Sequence, residues 1–172
     1  MKRHFALTYI ILLVLQIIIC NYLHVTQYLY LAILPVMVLC IPLKVSTLAT
    51  LFIAFGSGLA VDFIADGLPG LNTLALLPVA LLRKSILHGI FGDELFSRHE
   101  DISVEKHGMQ KFLIATIIVQ AIFMLLYVLV DNVYSRPLWF CAARFGASTL
   151  AGVLVSLALS RLLTEGVHDR WS

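Results

Sequence analysis

Charge is scarce in this sequence. Lys, Arg, Asp and Glu make up 13% of its 172 residues, against about 25% in soluble domains. That excludes an ordinary water-soluble globule. A chain this short keeps much of its surface exposed, yet 60% of its residues are hydrophobic. The net charge of +2 gives no electrostatic case for a nucleic-acid partner. Cysteine is also sparse. Cys20, Cys40 and Cys141 form no CxxC and lie in apolar runs, so neither a disulfide framework nor a zinc site is indicated. No GxSxG, HExxH or P-loop occurs. Internal repeats and low-complexity tracts are missing too. The apolar runs lack the two-residue alternation of a barrel strand.

What is present is apolar length. Mean hydropathy is +0.96. A helix needs about 20 apolar residues to cross the hydrocarbon, and the sequence offers about six such stretches. They run from about Phe5 to Leu23, Tyr28 to Leu43, Ser46 to Ala65, Pro69 to Leu82, Phe112 to Val130 and Pro137 to Leu163. The second is short and holds Pro35 and Pro42, so it is expected to kink or to dip. Pro69 suits a helix start, and Pro78 should bend the fourth helix. Met1-Lys2-Arg3-His4 resembles the opening of a signal peptide. The apolar stretch after it is long for one and lacks a small-x-small cleavage site, so it reads as a retained first helix. The fold class is therefore all-α: a polytopic membrane helix bundle, one integral membrane domain over 1–172.

Basic residues set the expected orientation. With the N-terminus inside, Lys2, Arg3, Lys44, Arg83, Lys84, Arg98, Lys106, Lys111, Arg161 and Arg170 fall on the cytoplasmic side, ten of the twelve in the chain. Arg136 falls outside and Arg144 within the membrane. Six crossings with both termini cytoplasmic satisfy this asymmetry. The long connection at about 83–111 becomes a cytoplasmic loop. Its His99, Glu100, Asp101, Glu105 and His107 have no spacing typical of a zinc site and read as a solvated loop.

The most informative stretch runs from Gly56 to Asn72. Asp62 lies near the outer end of the third helix, where a carboxylate is costly and faces protein or a wet cavity. Two roles fit it: an ion, proton or substrate site, or a structural carboxylate that caps the next helix or pairs with a cation. Gly56 and Gly58 would let another backbone approach closely. Arg144 lies roughly 10 Å inward from Pro137 and Asp62 roughly 6 Å inward from Asp66. The matching depths predict an Asp62–Arg144 ion pair between the third and sixth helices; the alternative is an Arg144 that snorkels outward alone. Gly58-x3-Asp62-x3-Asp66 matches the tail of the CDP-alcohol phosphotransferase motif, DGxxARx8GxxxDxxxD. The leading Asp-Gly and Ala-Arg are absent at Lys44 to Ala49, so a lipid-modifying enzyme lacks its motif. On the sixth helix Gly146, Ala147, Ser148, Ala151, Gly152, Ser156 and Ser160 form a small-residue face. It suits internal packing or a partner's helix.

Gly58-Leu59-Ala60-Val61-Asp62, then Gly70-Leu71-Asn72 and an apolar helix ending in Arg83, in a short six-span chain, resembles the MreD family of bacterial rod shape-determining proteins. The resemblance covers the whole chain in size and topology and is most specific from Gly56 to Arg83. It implies a non-enzymatic inner-membrane component of the cell-elongation machinery for peptidoglycan synthesis. Its partners would be MreC, the actin-like MreB filament, RodA and a penicillin-binding protein. Gly58, Asp62 and Gly70 map onto the family motif with no catalytic role, and Arg144 joins them as a structural or partner-binding residue. The resemblance also implies a fold similar to the substrate-binding subunits of energy-coupling-factor vitamin transporters, and such a subunit is the alternative function. Neither reading calls for a cofactor or a metal.

Overall fold

The computed structural model describes residues 3–22, 30–66, 70–92, 108–132 and 138–165. Among them are six α-helices and no strand. They are α1 (Arg3–Tyr22), α2 (Leu34–Leu39), α3 (Thr47–Val61), α4 (Leu71–Phe91), α5 (Met109–Asn132) and α6 (Leu138–Glu165). A single π-helical turn, Asp62–Asp66, extends α3. All but α2, five in number, are long and apolar enough to cross a membrane. The longest apolar side chains on their outer faces, such as Ile10, Phe52, Leu81, Leu125 and Leu154, are exposed. In water such a surface would be a liability; in lipid it is the normal solvent face.

The second segment departs from a spanning helix. Its six helical residues cover only roughly 9 Å. Pro35 sits in the first turn, where its missing N–H is harmless. Pro42 follows the helix and forbids its continuation. Tyr30 to Ile33 lead into α2 without helical hydrogen bonding. The segment nevertheless passes through the bundle. The Tyr30 hydroxyl meets Asn72, at the start of α4, and the Leu39 carbonyl meets Arg83, roughly 16 Å further along that helix. So the alternation of up and down passes survives, with one pass made by a broken element. It occupies the core: Ala32, Ile33, Leu34, Val36, Met37, Val38 and Leu39 are all fully buried. Irregular backbone is tolerated at membrane depth only where protein covers it.

Two boundaries move as well. The fourth helix continues through Pro78 and past Leu82 to Phe91, and α5 begins at Met109. The connection expected at 83–111 therefore shrinks to what lies between Gly92 and Gly108; residues 93–107 lie outside the described residues, and with them His99, Glu100, Asp101, Glu105 and His107. Arg83 does not belong to a loop. It is a buried side chain, 1% exposed.

Ser46 starts α3 by accepting from the Ala49 amide at 3.2 Å, the usual N-cap exchange. Lipid is as apolar as leucine, so burial between helices gains little hydrophobic free energy. Close packing and internal polar links hold such a bundle. Those links define the candidate site.

Candidate functional site: a polar cradle and a capped corner

The unwound stretch before α2 exposes backbone groups that no helix satisfies, and each would cost several kcal/mol in an apolar interior. Three helices supply the partners. Gln16 of α1 donates from Nε2 to the Leu31 carbonyl at 3.0 Å and accepts the Ile33 amide on Oε1 at 2.7 Å. Ser148 of α6 accepts the Tyr30 amide at 2.9 Å. Gln120 of α5 donates to the Ala32 carbonyl at 3.2 Å. At the other end, Arg83 of α4 donates from Nε to the Leu39 carbonyl at 3.0 Å, a cation at a helix C-terminus. The Tyr30 ring stacks on Tyr127 with centroids 4.2 Å apart.

The second constellation is the corner between α3 and α4. Gly70 stands at the N-cap of α4 with φ +101°, a left-handed conformation that favours glycine. It has no side chain to cap with. Asp62 caps the helix instead, from the preceding element. Its Oδ1 accepts the Asn72 amide at 2.8 Å, and its Oδ2 accepts the Gly70 and Thr73 amides at 3.1 and 3.0 Å and the Thr73 hydroxyl at 2.6 Å. Negative charge at a helix N-terminus is favoured by the aligned peptide dipoles, which is how a fully buried carboxylate is held. Gly58 makes the corner tight. A Cβ there would stand 2.7 Å from Thr73 Cα and 2.9 Å from Thr73 N. At Gly56, by contrast, no part of this chain comes within 4 Å of where a Cβ would stand.

The expected Asp62–Arg144 pair is not formed. Asp62 gives its oxygens to α4, and Arg144 pairs through Nη1 with Asp131 at the end of α5. Its guanidinium also lies 5.6 Å from the Tyr127 ring centroid, within cation–π range. Depth alone suggested the pairing; it ignored that a buried carboxylate beside an uncapped helix end already has three amides in reach. Arg144 does not snorkel alone either. Among the described residues no group of three or more His, Cys, Asp or Glu is placed to hold a metal ion.

Of the site residues read from the sequence, Gly58, Asp62 and Gly70 converge on one corner, and Arg144 lies in a separate pair. The small face of α6 turns inward at Ser148, Gly152 and Ser156, all buried. A Cβ on Gly152 would meet the Gln120 side chain at 2.0 Å. Gly146 has open space around it. Sequence reasoning missed Gln16, Gln120, Tyr30, Tyr127 and Asp131. Lone amides within the apolar runs of α1 and α5 were the available signal, since polar side chains at membrane depth need a partner.

Fold and site together define an all-α polytopic bundle with one broken crossing, held by polar side chains from four helices. No family model, no curated protein and no solved structure matches the chain.

Proposed function

We propose that this protein is a non-enzymatic membrane scaffold of the bacterial cell-elongation complex, of the MreD kind, placed in the cytoplasmic membrane with both termini inside. The observation that carries the reading is the convergence of Gly58, Asp62 and Gly70 on one corner, where Asp62 is consumed as a helix cap. The motif residues serve a joint that fixes α3 against α4. What such a protein offers others is then its outer helix faces. MreC is the partner expected on them, with MreB, RodA and a penicillin-binding protein in the same assembly.

The rival is the substrate-binding subunit of an energy-coupling-factor type vitamin transporter. The observation favouring it is the broken crossing, since discontinuous helices line substrate sites in many transporters. Against it, the Tyr30, Leu31, Ala32 and Ile33 backbone groups already bond to Ser148, Gln16 and Gln120.

Depletion in a rod-shaped host separates the two. The scaffold reading requires cells to round up, and MreC to co-purify with the tagged protein from detergent extracts. Rods that keep their shape while vitamin uptake fails would overturn it in favour of the transporter.

A further inference from the structure

Near its C-terminal end α4 turns two chemically different faces. Arg83 points into the core. The neighbouring face carries a cleft wide open to the surroundings, about 400 Å³, lined by Lys84, Ser85, His88 and Gly89. Lys84 and His88 stand one turn apart, as do Ser85 and Gly89, so the four share one side of the helix. Gly89 keeps the cleft open, with no atom within 4 Å of where its Cβ would be. The same side continues toward the middle of the bundle as Leu81 and Leu82, which are 55% and 45% exposed.

Depth gives this arrangement its meaning. The 21 residues of α4 extend roughly 31 Å, close to the ~30 Å of the hydrocarbon core. Lys84 then lies roughly 10 Å short of the helix end, where an ammonium group is expensive unless it meets an anion or reaches the interface. One leaflet's depth of about 15 Å, measured back from the helix end at Phe91, ends near Leu81. Leu81 and Leu82 lie within it.

We propose that this face holds one anionic phospholipid, with its phosphate in the Lys84–Ser85–His88–Gly89 cleft and an acyl chain along Leu81 and Leu82. The ammonium supplies a point charge to the phosphate, the Ser85 hydroxyl supplies a hydrogen bond, and Gly89 makes room for the headgroup. Zwitterionic lipids fill the apolar track equally well but gain less from Lys84. The selectivity resides in the headgroup.

The test uses the full chain purified in detergent and equilibrated with equal amounts of phosphatidylglycerol and phosphatidylcholine. Native mass spectrometry counts the retained lipids. Wild type is expected to keep one phosphatidylglycerol in preference to phosphatidylcholine. Lys84→Gln should cut that preference about fivefold, and Gly89→Leu should abolish it by filling the cleft. Lys111→Gln removes an exposed cation on α5 and should leave the preference unchanged. Circular dichroism confirms that each variant is folded. Equal retention of both lipids by wild type overturns the proposal. So does a loss in Lys111→Gln as large as in Lys84→Gln, which would mean diffuse attraction. Full displacement of the lipid by millimolar inorganic phosphate would assign the cleft to a free anion and also overturns it.

Discussion

Asp62 holds Thr73 twice, accepting its backbone amide at 3.0 Å and its hydroxyl at 2.6 Å on the same oxygen. One carboxylate thus closes the first turn of a helix to which it does not belong. Asp62→Asn replaces one acceptor oxygen by an NH2 group that faces donors. We expect a loss of about 3 kcal/mol, from buried amides left without a full acceptor. Thr73→Val removes only the hydroxyl bond and should cost about 1 kcal/mol. Thermal unfolding in micelles measures both. Equal effects would mean that the backbone bonds to Asp62 contribute little.

The glycines of the third helix should behave oppositely. Gly58→Ala places a methyl against Thr73 backbone, which must shift, at about 1–3 kcal/mol. Gly56→Ala adds a methyl in open space and removes backbone freedom from a helix, so it should be neutral or stabilising by up to about 1 kcal/mol. Midpoint temperatures of the two variants, run side by side, give the comparison.

Arg144 and Asp131 are partly exposed, with side-chain accessibilities of 15% and 22%. Their coupling should lie between that of a surface pair and that of a buried one. A double-mutant cycle with Arg144→Gln and Asp131→Asn is expected to return about 1–2 kcal/mol. The same cycle with Asp62→Asn in place of Asp131→Asn should return under about 0.5 kcal/mol. A larger value for Asp62 would restore the pairing that the depths alone suggested.

Gln16→Leu keeps the size of an apolar neighbour but strips two backbone groups of their partners. A destabilisation of about 2 kcal/mol follows. It should be accompanied by faster hydrogen exchange at the Ile33 amide, while amides of α5 keep their protection. Unchanged exchange at Ile33 would remove Gln16 from the cradle.

Spans in the sequence were legible where composition alone decides. The stretches from Phe5, Ser46, Phe112 and Pro137 correspond to α1, α3, α5 and α6 within a few residues, because a lipid-facing helix is apolar throughout. The fourth ended too early. Arg83 and Lys84 look like a boundary, but Arg83 turns inward to a carbonyl and Lys84 lies along a cleft. The second segment was recognised as weak from Pro35 and Pro42, yet its burial was not legible. Nothing local shows that Gln16, Gln120 and Ser148, up to 118 residues away from Tyr30, would meet its backbone. The site was half legible. Gly58 announces close backbone approach, Gly70 entered through the family resemblance alone, and the capping role of Asp62 was among the readings open to it. Which anion Arg144 or which cation Asp131 would choose depends on how helices rotate about their axes, and hydropathy carries no such information.

The broken crossing has a consequence for biogenesis. Residues 30–41 leave the ribosome before α4, α5 and α6 exist, and those later helices carry Arg83, Gln120 and Ser148. An early chain has only Gln16 to offer the unwound backbone. The second pass therefore settles after synthesis of the last helix, and a nascent chain truncated before Ser148 and carrying Ala32→Cys should be open to soluble cysteine reagents at a position that is fully buried in the finished protein.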